Sequence, residues 1–597
     1  RGVLYGMLLL ERGRTRMLRD RLPLAYVTQI EDADIVLTIK EAHLGSVASH
    51  SQGITWVGRP GDLLCVDSGT VLIVLRIISL EFAEPKISNS PTLQTDPSRR
   101  LRSQVLGHII RKDGVLEFCS EQSQIPPLGG IAFPLNSDEM TAVLRLPLDD
   151  SPQIVLGNEA SSGTAQVAVP IKTLLPMHVA VLGATGQGKT HFVAATIQQL
   201  LKLPKSRIVI FDINGEYEDA FRGIEGLRFC HTVLGSPPHD QQVEGAKYRR
   251  IPYQALGRNG LFRLLLPSER AQSPALRFAI EHLHLVSADS QGARLLDQQE
   301  NVLFDDCRNE GATEANEAME RIRRNGAEQA AIWPHMRALS CLAAEWYCLQ
   351  RGNRGIERNS FSYGHVQSLV NRIRGLIEDD RFNEIIDVRG GPPVGSSELD
   401  YREESRALVE EIYGNKSLAE DDWKLHIVDL SHLSTDLMPF VLGALLELLS
   451  AELFKRGPGG THPTMLVLEE AHHYLREIPG DTDGVPRALA YERLAREGRK
   501  FGLSLLVSTQ RPSELSSTVL AQCGTWCVFR LTNELDQRSV AAAAEWGSGF
   551  ILRQISSLSR GHAVVFGAAI PFPCRISVIR PNPEPRSSDS PFARAWC

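Results

Sequence analysis

The stretch Gly183-Ala184-Thr185-Gly186-Gln187-Gly188-Lys189-Thr190 decides the fold. Ahead of it, His178-Val179-Ala180-Val181-Leu182 is an apolar run of strand length. After it, Phe192-Val193-Ala194-Ala195-Thr196-Ile197-Gln198-Gln199-Leu200-Leu201 carries helical spacing. G-x-x-x-x-G-K-[ST] between a strand and a helix is the Walker A arrangement. Its glycines let the backbone curl so that successive N–H groups face phosphate oxygens, and the helix N-terminus adds a field that favours anions. Lys189 is expected to reach the β and γ phosphates of a nucleoside triphosphate, Thr190 to hold Mg²⁺ through its hydroxyl, and His191 to complete the nucleotide-contacting set. The alternative, a Gly-rich turn that binds nothing, is disfavoured because pattern and context agree.

Moving outward, apolar runs end at Asp212, Leu430, Glu470 and Gln510, each separated from the next by helical stretches. Such strands predict an α/β fold built on a parallel sheet covered on both faces. Active groups then lie at the C-terminal strand ends, where Asp212, Glu469, Glu470 and Gln510 fall. Leu466-Val467-Leu468-Glu469-Glu470-Ala471-His472 fits a Walker B element. Glu469 is expected to act on Mg²⁺ through a water and Glu470 to orient the attacking water; the same residues also suit an acidic strand-to-helix cap. Gln510, before Arg511-Pro512, is placed to sense the γ-phosphate, or else it closes a turn. Arg496 and Arg499, in Leu494-Ala495-Arg496-Glu497-Gly498-Arg499-Lys500-Phe501-Gly502, are candidates for an arginine delivered across a subunit boundary, with Arg511 a third. A solvated basic helix end reads the same way. The acids of Asp212-Ile213-Asn214-Gly215-Glu216-Tyr217 serve either the nucleotide or a pore. His472-His473 is read as structural, since no third ligand is spaced for a metal site.

A chain of 597 residues is too long for one core. Residues 25–170 are rich in short β-branched runs punctuated by Gly and Pro, which predicts a small barrel or sandwich; Glu84 to Arg102 is expected to be a long polar loop. The first part of the ATPase core covers 171–264, a helical insertion 265–420, and the second part with closing strands 421–580. Glu314 to Arg324 and Met336 to Trp346 have the helical spacing that defines the insertion. Residues 581–597 are read as a disordered Pro/Ser-rich tail, and 1–24 are left unassigned. The chain begins with Arg1 rather than Met, and its short apolar start lacks a convincing small-residue cleavage site, so a signal peptide is discounted and a truncated or misassigned start is an equal reading. No apolar run reaches eighteen residues, which predicts no membrane span. Ten scattered cysteines without a Cys-x-x-Cys pair point to reduced thiols in a cytoplasmic protein. A net charge of −7 argues against coating nucleic acid over the whole surface but leaves room for a basic channel.

Together, the Walker A stretch, Phe211-Asp212-Ile213-Asn214-Gly215-Glu216-Tyr217, Leu468-Glu469-Glu470-Ala471-His472, Ala495-Arg496-Glu497-Gly498-Arg499-Lys500-Phe501-Gly502 and Ser508-Thr509-Gln510-Arg511-Pro512 resemble the HerA family of hexameric translocases, relatives of FtsK among the RecA-like P-loop ATPases. The last two in tandem are more telling than Walker A. Gly561 to Gly567 resembles the family's closing strand. The resemblance implies an N-terminal β-barrel, a RecA-like core and a homohexameric ring that hydrolyses ATP with Mg²⁺ to move double-stranded DNA through its pore. It implies a partner at the barrel, either a nuclease of the NurA type or an effector such as a sirtuin-type NAD hydrolase in antiphage defence. A Glu469-Glu470 ending to Walker B, rather than Asp-Glu, fits this family. A rival reading uses the same ATP-site residues, a ring that scaffolds and switches a partner enzyme without processive translocation; a third, a pilus or conjugation-type secretion ATPase, is weakened by the expected lack of a membrane span.

Overall fold

A computed structural model describes residues 23–31, 34–39, 47–50, 53–56, 58–82, 99–112, 114–145, 151–160, 165–237, 245–268, 270–288, 317, 320, 332–353, 355–393, 400–476, 490–543 and 554–586. The chain divides into two compact units, the first made of residues 1–174, 527–530 and 544–579, the second of the remainder.

The second unit is built on a parallel sheet. Its strands are β1 (Val179–Leu182), β2 (Ile208–Asp212), β3 (Phe229–Leu234), β4 (Lys247–Arg249), β5 (Leu425–Asp429), β6 (Thr464–Leu468) and β7 (Leu503–Thr509), in the order β1-β7-β6-β2-β5-β3-β4. β1, β2, β5, β6 and β7 are buried at every position, as a sheet covered on both faces requires. The register pairs Leu182 with Thr509 and Phe211 with Leu468, so the strand ends that carry Gly183, Asp212, Glu469 and Gln510 emerge side by side. Sequence periodicity misses β3 and β4. Cys230, His231 and Thr232 break the apolar run of β3, and the two buried ones find partners: His231 lies 3.1 Å from Glu218 and 3.6 Å from Asp429, and the Thr232 hydroxyl lies 2.9 Å from His426 Nε2.

Between Gly257 and Arg456 the described residues are mainly helical. Helices Gly257–Leu265, Gln272–Ala288, Ser360–Glu378, Tyr401–Tyr413 and Met438–Arg456 are joined by shorter pieces. Arg337–Cys341 and Leu342–Trp346 are helical, in keeping with their spacing, whereas Glu314 to Arg324 falls outside the described residues apart from isolated positions. One feature there escaped the sequence reading: Leu349–Gly352 and Gly355–Arg358 form an antiparallel hairpin, closed through Gly355 at φ +116°.

In the first unit, six antiparallel strands close a barrel in the order Asp34–Ile39, Ala25–Glu31, Ile131–Pro134, Leu63–Asp67, Leu72–Phe82 and Arg99–Lys112, the last pairing back onto the first; Val115–Cys119 extends it at one edge. Its interior is an aliphatic cluster that includes Leu37, Val66, Ile73, Leu75, Ile77 and Leu101. The long loop expected through Arg102 is corrected at its end, because Arg99–Lys112 is a strand. Polarity misleads there: Arg100 and Arg102 face outward while Leu101 and Ser103 between them are fully buried, and Arg102 lies 3.7 Å from Asp34 across the barrel seam. Gln153–Glu159 pairs with both Gln166–Pro170 and Cys574–Val578, and the latter pairs with the closing strand His562–Gly567.

The tail also departs from expectation where it is described. Residues 581–586 lie along the helix that follows Walker A: Gln198 donates to the carbonyl of Pro583 at 2.8 Å and accepts from the N–H of Asn582 at 2.9 Å. Arg586 donates its N–H to the carbonyl of Glu216 at 2.9 Å. Composition marks such a segment as unable to bury a core, but three prolines in six residues also limit its freedom, and backbone hydrogen bonds hold it. Residues 587–597 are outside the described set.

Candidate functional site

At the P-loop, Gly186 (φ +74°) and Gly188 (φ +108°) occupy left-handed backbone that a side chain would strain. Gly188 caps the helix Lys189–Leu200, whose first N–H groups are left free to face an anion. Lys189 is only 8% exposed and donates to the carbonyl of Ala184 at 3.4 Å. Burial lowers its pKa, opposed by the carboxylates of Glu470, Glu469 and Glu216. The Thr185 hydroxyl donates to Oε1 of Gln510, tying the end of β7 to the P-loop.

The residue the sequence left undecided, Glu216, belongs to this cluster. Asp212, at the end of β2, is buried and accepts the N–H groups of Gly215 at 2.9 Å, Glu216 at 3.2 Å and Tyr217 at 2.9 Å. Gly215 turns the chain at φ +68°. The result swings Glu216 back to Thr190, whose Oγ1 donates to Glu216 Oε2 at 3.2 Å. The signal was the Asp-x-x-Gly spacing after a strand, which marks a carboxylate-capped turn. Burial raises Asp212 to about 6 despite the N–H bonds that favour its charge.

β6 delivers the two adjacent glutamates. Glu469 is 2% exposed; burial first, then repulsion from Asp212, Glu216 and Glu470, holds its carboxyl well above the usual range. It is hydrogen-bonded to Asp212, and its Oε2 has no hydrogen-bond partner in the protein. Tyr474 fixes the loop by donating to the carbonyl of Glu469 at 3.0 Å. Glu470 adopts φ +41°, ψ +45°, a left-handed conformation that costs a non-glycine residue about 1–3 kcal/mol. Burial raises the Glu470 carboxyl, against the pull of Lys189 and the Gln510 N–H. His472 Nδ1 lies 3.0 Å from the Thr509 hydroxyl. Burial and His473 hold its ring down to about 4, so it is neutral, and its 3.4 Å approach to Glu470 is not an ion pair.

The arginines stand differently. Arg496, at the end of the helix Ala490–Glu497, and Arg499, in the following turn Gly498–Phe501, are exposed, and neither bonds a Walker A or Walker B side chain. Arg511 is exposed and paired with Glu514 at 2.7 Å, and its charge reaches Glu470. His191 lies 3.9 Å from Glu584 of the tail segment.

The donor set suits Mg²⁺ held jointly with phosphates. Glu469 Oε2 is a buried carboxyl oxygen without a hydrogen-bond partner, near enough to Glu216 to be repelled by it, and three carboxyls, Glu216, Glu469 and Glu470, act on Lys189. Among the described residues no group of three or more His, Cys, Asp and Glu is arranged to hold a metal. The Thr190 hydroxyl and the Glu469 carboxyl are the kind of donors Mg²⁺ uses, since it keeps several waters and takes one or two protein oxygens beside the substrate's phosphates. No helix among the described residues is long and apolar enough to cross a membrane.

Residues 154–332 match the family described as "Helicase HerA, central domain". A probable helicase of Methanocaldococcus jannaschii is 22% identical over 497 residues, covering 82% of this chain and 78% of the relative. The DNA double-strand break repair helicase HerA of Sulfolobus acidocaldarius is 23% identical over 479 residues, covering 80% and 78%. Among solved structures, VirB4 of Thermoanaerobacter pseudethanolicus aligns with 73% of this chain and 98% of its own at 18% identity, with a TM-score of 0.41. With a P-loop, a glutamate-pair Walker B, a parallel core sheet and an N-terminal barrel in place, the chain is a P-loop ATPase similar to the HerA helicases.

Proposed function

We propose that the chain is the ATP-hydrolysing subunit of a hexameric ring that translocates on or unwinds double-stranded DNA. The observation that carries this is the convergence of Lys189, Thr190, Glu216, Glu469, Glu470 and Gln510 at neighbouring strand ends, linked through Thr190–Glu216 and Thr185–Gln510. The names of the archaeal relatives, double-strand break repair helicases, support DNA as the track.

In this reading the P-loop N–H groups and Lys189 bind the triphosphate of ATP; Thr190, and Glu469 through a water, would hold Mg²⁺, which would supply neutralisation of phosphate charge. Glu470, with its carboxyl raised by burial, orients the attacking water and takes its proton. Gln510 reports γ-phosphate loss to the P-loop through Thr185. Arg499 or Arg496, both exposed, serves the neighbouring subunit's nucleotide. A nuclease or a sirtuin-type effector at the barrel is the partner this assembly calls for.

The test is ATP hydrolysis with and without linear duplex DNA at low and moderate salt, with a Lys189→Ala chain as the zero. Stimulation that fades as salt rises is expected for a motor engaging the phosphate backbone. Hydrolysis indifferent to DNA would discard the motor in favour of a ring gated by its partner protein.

A further inference from the structure

The residue that enters the Walker A strand is held from three sides. His178 is 3% exposed and sits at φ +20°, at the edge of the left-handed region. Its ring has both nitrogens engaged: Nε2–H donates to the carbonyl of Ala495 at 2.8 Å, and Nδ1 accepts the N–H of Leu505 at 3.0 Å. Burial keeps the ring neutral, and the nearby Arg499 guanidinium acts in the same direction. The backbone carbonyls of Met177 and His178 both accept the N–H of Gly524, at 2.8 and 3.1 Å. A Cβ on Gly524 would come within 2.6 Å of the Met177 Cβ, so this approach is open only to glycine. Arg499 Nη1 in turn donates to Met177 Sδ at 3.4 Å.

A core histidine that merely fills space needs neither the unusual backbone nor two specific partners. These partners are the last turn of the helix Ala490–Glu497, next to Arg496, and the first half of β7. Between them lies the tight turn that carries Arg499. Met177-His178 is therefore the seat of that turn, and it is continuous with the strand that ends in the P-loop.

We infer that His178 is a positioning residue for the arginine delivered in trans: its imidazole ties the Arg496–Arg499 turn to the entry of the Walker A strand, fixing where the guanidinium is presented to the neighbouring subunit. This rests on the proposed trans role of that turn. The hydrogen bonds of the His178 ring go to Ala495 and Leu505, whereas Lys189 is held at the carbonyl of Ala184, so the tie and the subunit's own nucleotide pocket use different bonds.

The test uses full-length His178→Ala, His178→Asn, Arg499→Ala and Glu470→Gln chains. Alone, His178→Ala is expected to lose about 10²-fold in turnover, the scale of an arginine misplaced by about 1 Å. Its affinity for a fluorescent ATP analogue is expected to stay within about twofold of wild type, since binding uses the untouched P-loop. In rings mixed with Glu470→Gln, each His178→Ala pocket retains its own Glu470 and receives a correctly held arginine from the Glu470→Gln neighbour, so hydrolysis returns. A fault confined to the variant's own pocket would not recover. Asparagine tolerates left-handed backbone and its oxygen accepts from Leu505, so His178→Asn carries the same comparison should the alanine chain not fold. Arg499→Ala mixed with Glu470→Gln checks the underlying reading: recovery there without recovery of the His178 variants, or wild-type turnover by those variants alone, overturns the inference. Absence of recovery for Arg499→Ala overturns the trans role of Arg499 itself.

Discussion

At the residue scale, the candidate site stores electrostatic and conformational cost. Glu470 holds a left-handed backbone that glycine adopts freely. Glu470→Gly is expected to stabilise the chain by about 1 kcal/mol while lowering ATP turnover by about 10²–10⁴-fold, as loss of a general base does. Denaturant melts and steady-state hydrolysis check the two halves; a destabilised glycine variant would mean the conformation is not strained. Burial and three neighbouring acids oppose the charge of Glu469 and hold its carboxyl well above the ordinary range. A folded state that holds this proton gains stability below the ordinary carboxylate range and loses it as pH rises, and Asp212, raised to about 6, acts in the same sense. Glu469→Gln cannot ionise yet keeps a donor toward Asp212. In thermal melts without nucleotide or Mg²⁺, it is expected to exceed wild type at pH 8, and the two are expected to converge by about pH 4. An equal gap at both pH values would argue against a buried carboxyl as its source.

At the scale of elements, each functional side chain reaches the site through a turn rather than through the strand that precedes it. Asp212 caps the turn that returns Glu216 to Thr190, and Tyr474 fixes the loop after Glu469. The helix Lys189–Leu200 is gripped along its outer side by residues 581–586 through Gln198, which also donates to the carbonyl of Ala220 at 2.9 Å. Gln198→Ala removes three bonds at once and is expected to release the tail segment at a cost of about 1–3 kcal/mol. Faster hydrogen exchange at Glu584 to Arg586, with β1 and β2 unchanged, would be the signature; unaltered protection would place the tail's anchorage elsewhere.

At the scale of the molecule, the first unit is discontinuous in sequence, since residues 544–579 return to it. Cys574–Val578 hydrogen-bonds to Gln153–Glu159 on one side and to His562–Gly567 on the other. A chain that begins after Leu174 bares one edge of Cys574–Val578 and is expected to aggregate. A chain that begins after Arg145 keeps that pairing and is expected to stay dispersed in size-exclusion chromatography. Equal behaviour of the two truncations would show that the pairing is dispensable.

The sequence alone determined the P-loop, the two glutamates, the run of parallel strands and the β-rich start, because each is a local pattern in which residue type and spacing state the physical requirement. It also carried the family resemblance through Arg496 to Gly502 and Ser508 to Pro512. Only the tertiary structure decided that the β-rich start closes as a six-stranded barrel, that the arginine-rich Arg99–Lys112 completes it, and that Glu216 joins Thr190 while Arg496 and Arg499 stay outside the cluster. Those outcomes depend on which strands become neighbours, and strand neighbours such as Phe211 and Leu468 lie hundreds of residues apart in the chain. Local periodicity says whether a strand forms; the burial of its two faces against distant partners says where its end will point.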